Sequence, residues 1–106
     1  MKQQSPWTSN VAFGWLASEV DQAEFYLGEA EEELNRLEKE KDGSYLFLKI
    51  YEKAQMFVNS ALNWADELDS LKGAENFTEE ESNYFCWAEE NQTELRQLWR
   101  RWLEIR

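Results

Sequence analysis

Eight apolar residues near the start of the chain constrain its fold more than any other feature. Phe13, Leu16, Val20, Ala23, Leu27, Ala30, Leu34 and Leu37 follow one another in alternating steps of three and four. That spacing returns each of them to one face of an α-helix, whereas a half-buried strand needs alternation at every second residue. A helix with such a seam is stable only when other helices cover it. The chain supplies them. Phe47, Tyr51, Ala54, Val58, Ala61, Ala65 and Leu68 form a second seam, and Tyr84, Ala88, Asn91, Leu95, Leu98, Trp102 and Ile105 a third. Ile50, Phe57, Trp64 and Leu71 widen the apolar face of the second segment, which predicts that this helix sits deepest. Asn91 is the one polar residue in the third seam. It either fixes register, as a buried Asn does in coiled coils, or is a tolerated boundary residue.

The punctuation agrees with three helices. Ser5-Pro6 and Ser9 are candidate starts for the first. Asp42-Gly43-Ser44 is the turn before the second, with Ser44 suited to cap it. Lys72-Gly73 ends the second with a cation in its last turn and a glycine just beyond. Thr78-Glu79-Glu80-Glu81 has the spacing of a capping box, in which a hydroxyl and a carboxylate satisfy each other's backbone N–H groups. With one Pro, four Gly and no sustained alternation, no segment reads as a strand. Helices are predicted over 8–41, 44–72 and 78–104. Short connections make neighbours antiparallel. The expected architecture is all-α: an antiparallel up-down-up three-helix bundle with coiled-coil-like heptad seams, a single domain over 1–106.

Composition then removes function classes. The chain has 22 Asp and Glu against 11 Lys and Arg, a net charge of −11, which opposes binding of a duplex or an anionic membrane by the whole surface. There is no His and a single Cys. The commonest general base and metal ligand is therefore missing, as is every multi-cysteine site. Glu29 with Glu32, and Glu90 with Glu94, share helical faces, but di-metal carboxylate bundles pair such residues with His. The four glycines are too scattered for a phosphate loop, and Cys86, between Phe85 and Trp87, reads as a packed thiol. No catalytic, cofactor-binding or metal-binding residue is expected, and the protein is read as a non-enzyme. No apolar run approaches the length of a membrane span and no leader is visible, so a cytoplasmic location is expected, with Asn76-Phe77-Thr78 and Asn91-Gln92-Thr93 as chance matches to a glycosylation signal.

What remains points to binding. Residues 73–95 carry seven acids and no base. Up-down-up topology brings them beside the end of the second helix, so Asp66, Glu67, Asp69, Glu75, Glu79, Glu80 and Glu81 form the predicted acidic partner-binding set. Trp15, Phe25, Tyr26, Trp87 and Trp99 fall off the seams, together with Phe85, and large aromatics left over in an acidic surface are candidate anchors for a protein partner or a second copy. The last segment interleaves Arg96, Arg100 and Arg101 with Trp99 and Trp102. That pattern suits phosphate contact, or simply offsets the helix dipole. The profile of size, acidity and helicity is similar to that of small helical inhibitors from phages and mobile elements, including nucleic-acid-mimicking antirestriction and anti-CRISPR proteins; no motif carries the similarity and no residue role transfers with it. It implies a partner protein that binds nucleic acid, its basic groove occupied by acidic helices. The alternative is a small structural subunit of a homo-oligomer or ribonucleoprotein, docked through its C-terminal Arg/Trp helix. Direct nucleic-acid contact is expected nowhere except at that Arg cluster.

Overall fold

A computed structural model describes residues 8–40, 46–73 and 76–105. Three helices account for almost all of them: α1 (Ser9–Glu40), α2 (Leu46–Lys72) and α3 (Glu79–Ile105). There is no strand among the described residues.

Local chemistry fixes the helix ends. Thr8, and not Ser9, caps α1: its hydroxyl accepts the Val11 N–H at 3.2 Å and its carbonyl the Ala12 N–H at 3.0 Å. Thr8 stands three residues before a free helical N–H, the distance a capping hydroxyl spans. The Ser5-Pro6 start and the Asp42-Gly43-Ser44 turn lie outside the described residues. At the end of α2, Gly73 takes a φ of +73° and donates its N–H to the Asp69 carbonyl at 2.8 Å, a left-handed position that favours glycine. The Asn76 side chain then donates to the Lys72 carbonyl at 2.7 Å. The capping box opens α3 as the spacing predicts. The Glu81 N–H donates to the Thr78 hydroxyl at 3.1 Å, and the Thr78 N–H to the Glu81 carboxylate at 2.9 Å.

The helices run up, down and up. Ala12, Leu16 and Val20 pack with Ala61, Ala65 and Leu68 from the far end of α2 and with Ala88 from the start of α3. Leu27, Leu34 and Leu37 pack with Phe47, Ala54 and Val58 and with Leu95, Leu98 and Trp102. Phe13 meets Tyr84 edge-on at 5.4 Å, and Phe47 stacks on Trp102 at 5.0 Å. These two contacts hold α3 at opposite ends of a rod of 57 × 26 × 18 Å. No helix among the described residues is long and apolar enough to cross a membrane.

Two expectations need correction. The longest buried row belongs to α1, from Ala12 to Leu37, not to α2. Ile50, Phe57, Trp64 and Leu71, which widen the α2 face, stay half-buried, because α3 covers only one side of the α1–α2 hairpin. Cys86 is exposed. It lies two residues before buried Ala88, which puts it more than half a helical turn from the seam. Asn91 is buried as its seam position requires, but its Nδ2 finds no hydrogen-bond partner among the described residues.

Candidate interaction surfaces

The flank of α1 that faces α3 carries Asp21, Glu24 and Glu31, and α3 answers with Glu80, Glu90 and Glu94. Partial burial raises the Glu24 carboxyl above its ordinary value, helped by the charges of Asp21 and Glu90. Burial also raises Glu94, with Glu31 and Glu24 adding to it. The Tyr84 phenol is pushed up by burial and by Asp21, Glu80 and Glu24. Five carboxylates therefore meet across the α1–α3 groove, and Glu80 joins them through Tyr84. None of the six has an ion-pair partner among the described residues, whereas Glu33 pairs with Arg36, Glu38 with Arg101 and Glu81 with Lys72.

This row opposes folding, and its sign can be tested. A carboxyl whose folded pKa is raised takes up protons more readily in the folded protein than in the unfolded chain. Its penalty is present above the folded pKa and is relieved as the pH falls through it. A Glu24→Gln, Glu94→Gln double variant is therefore expected to be more stable than wild type at pH 7, by up to about 1 kcal/mol, the ceiling for exposed charges. That gain vanishes once the pH is below the ordinary carboxyl value of 4.5. Thermal melts at both pH values check it; a variant that melts no higher at pH 7 removes the repulsion argument.

The acidic set predicted from topology is only partly on the surface. Glu79 and Glu80 are exposed at the start of α3, and Glu80 joins the row. Asp66 and Asp69 are exposed and Glu67 is half-buried, all on α2 and outside the row. Glu75 lies outside the described residues. Glu81 is a correction. It is buried, bonded by the Thr78 N–H and by Lys72 Nζ at 2.6 Å, because the last residue of the capping box turns back over the helix start. Burial alone would push its carboxyl up, but the bonds from Lys72 and Thr78 and the Lys72 charge outweigh that and hold it below its ordinary value. It cannot present charge to a partner.

The aromatic set divides in the same way. Trp15 is 48% exposed with one face stacked on Trp64 at 5.9 Å, and Phe25 is 58% exposed. Trp87 stands edge-on to Tyr84 at 4.8 Å, beside the acidic row, with its outer face exposed. Trp99 is exposed along one face and packs on Tyr51 at 5.0 Å. Tyr26 is the exception. It is half-buried, stacked on Phe57 at 5.5 Å with the Lys53 ammonium 5.6 Å from its centroid. Its position one residue before Leu27 turns it toward α2, so it belongs to the flank of the core. Phe85 is likewise held, against Phe77 at 4.8 Å.

The arginine set loses one member. Arg101 donates to Asn35 Oδ1 at 2.8 Å and to Glu38 Oε1 at 3.0 Å, tying α3 to α1. It is not free to hold a phosphate. Arg96 and Arg100 are exposed. No group of three or more Asp, Glu or Cys among the described residues is placed to hold a metal ion.

Glu24, Glu31, Glu90 and Glu94 were not singled out as a partner surface by sequence reasoning. A signal was present. Glu24 follows Ala23, Glu31 follows Ala30 and Glu94 precedes Leu95, so each adjoins a seam residue and must flank a helix contact. Which helix lies across that contact is not written in the spacing. No family model, no curated protein and no solved structure matches the chain.

Proposed function

We propose that the protein acts by binding and not by catalysis, and that its α1–α3 face occupies the cationic groove of a nucleic-acid-binding protein in place of the nucleic acid. The observation that carries this reading is the uncompensated row of Asp21, Glu24, Glu31, Glu80, Glu90 and Glu94. From Glu80 to Glu94 the helix rises about 21 Å. Six carboxylates shared between two helices over that length average one per roughly 4 Å, the same order as the axial spacing of about 3.4 Å for the phosphates of one strand. Packed helices hold the row rigid, so docking costs little conformational entropy. Trp87 at its border supplies an apolar anchor that charge alone lacks. A second reading, a docking subunit of a larger assembly, is favoured by Trp15, which is exposed on the flank of α1 beside α2, away from the row.

Recovery of partners from the native host by pull-down, followed by competition, tests the proposal. The recovered protein should bind DNA or RNA, and this chain should displace that ligand. A Glu24→Lys, Glu90→Lys, Glu94→Lys variant should associate at least about 10-fold more slowly, and raised salt should slow the wild type in the same direction. A partner that binds no nucleic acid, or unchanged association of the reversed variant, ends this reading.

A further inference from the structure

The face of α3 turned away from the bundle carries one continuous exposed stripe. Cys86, Glu89, Thr93, Arg96, Arg100 and Leu103 follow in steps of three and four, and all six are exposed. Trp99 borders the same stripe with one face open. Charge along the helix is segregated. Residues 79–94 hold six acids and no base, whereas residues 96–101 hold three arginines and no acid. Glu89, Arg96 and Arg100 make no ion pair among the described residues.

We infer that this outer stripe is self-complementary and that a second copy of the chain packs antiparallel against it about a two-fold axis. Antiparallel heptad pairing sets Glu89 of one copy opposite Arg100 of the other, with Thr93 against Arg96 and Cys86 against Leu103. The two-fold axis forms each of these contacts twice. Parallel pairing would set arginine on arginine and acid on acid, a juxtaposition that is repelled. Leu103, 48% exposed, and the open face of Trp99 give the pairing its apolar part. A phosphate backbone fits the stripe less well. Seven residues along the same face from Arg96, or about 10 Å, it would run onto Glu89. The stripe does not include the α1–α3 acidic row, so this inference stands or falls apart from the proposed function.

Light scattering after size exclusion tests it on the full chain. Wild type should approach twice the chain mass of 12.7 kDa as concentration rises. An Arg96→Glu, Arg100→Glu variant and a Glu89→Arg variant should each run as monomers with unchanged helical circular dichroism. Mixed in equal amounts, the two should regain the doubled mass, since one then carries only acids and the other only bases along the stripe. Salt should dissociate the wild-type dimer, because the paired charges are at the surface. A wild type that stays monomeric, a mixture that stays monomeric, or a dimer lost on changing Trp15 and Phe25 but not the arginines overturns the inference. So does a wild type whose stripe binds single-stranded RNA in preference to a second copy.

Discussion

Leu27→Ala should destabilise the protein by about 2–5 kcal/mol, the range for deleting a fully buried leucine side chain. Leu27 is 1% exposed and lies in the cluster where all three helices meet, with Val58 on α2 and Leu95 on α3. Its neighbours along the α1 seam are Ala23 and Ala30, too small to fill the space it would leave. The cost therefore combines lost transfer free energy with a cavity that the helix cannot close by itself. In a chain of this size each kcal/mol is worth several degrees, so the melting temperature should fall by about 10 °C or more. Chemical denaturation with an unchanged slope against denaturant would show that the loss is in stability and not in compactness. A loss under about 1 kcal/mol would mean that the α1 seam is not the centre of the core.

Lys72→Met should cost about 1.5–3 kcal/mol at neutral pH, the range for a hydrogen bond to a charged group. Lys72 Nζ donates to Glu81 at 2.6 Å, and that carboxylate is buried at the start of α3. Removing the ammonium leaves it with the Thr78 N–H and no opposite charge. The residual exposure of Lys72 keeps the loss below that of a fully enclosed pair, since water reaches part of the site. The pH dependence is opposite to that of Glu24 and Glu94. Glu81 has its folded pKa below its ordinary value of 4.5, so the stability it contributes is complete above that value and is lost as the pH falls through the folded pKa. The difference between Lys72→Met and wild type should therefore shrink in acid. Equal stability of the two at pH 7 would show that solvent satisfies Glu81 as well as Lys72 does.

The two carboxylate groups illustrate what spacing reveals and what it hides. Thr78 and Glu81 are legible as a capping box because the reciprocal bonds depend only on positions three apart in one helix. The burial of Glu81 is not legible in the same way, since nothing local shows that Lys72, nine residues earlier, folds back over it. The tie of Arg101 to α1 is hidden for the same reason. Its partners Asn35 and Glu38 are more than sixty residues away. Cys86 and Tyr26 show the reverse case, in which the angle around a helix decides exposure. Both angles were available from the seams, but which flank a neighbouring helix covers was not.

The sequence by itself determined three helices, their approximate ends and most of the residues that face inward, because heptad spacing, a capping box and a glycine past a last turn act within a few residues of one another. Phe13, Tyr51, Tyr84 and Ile105 of the seams stay half-buried, and Ala12 is buried in place of Phe13. Antiparallel order followed from short connections. The tertiary structure alone decided that α1 carries the longest buried row and that α2 keeps a half-buried flank, since α3 covers one side of the hairpin. It alone decided which acids gain a cation and which are left in a row facing their own kind. Electrostatic interaction depends on distance through space, and two helices joined only through a third bring together charges that the chain keeps some sixty residues apart.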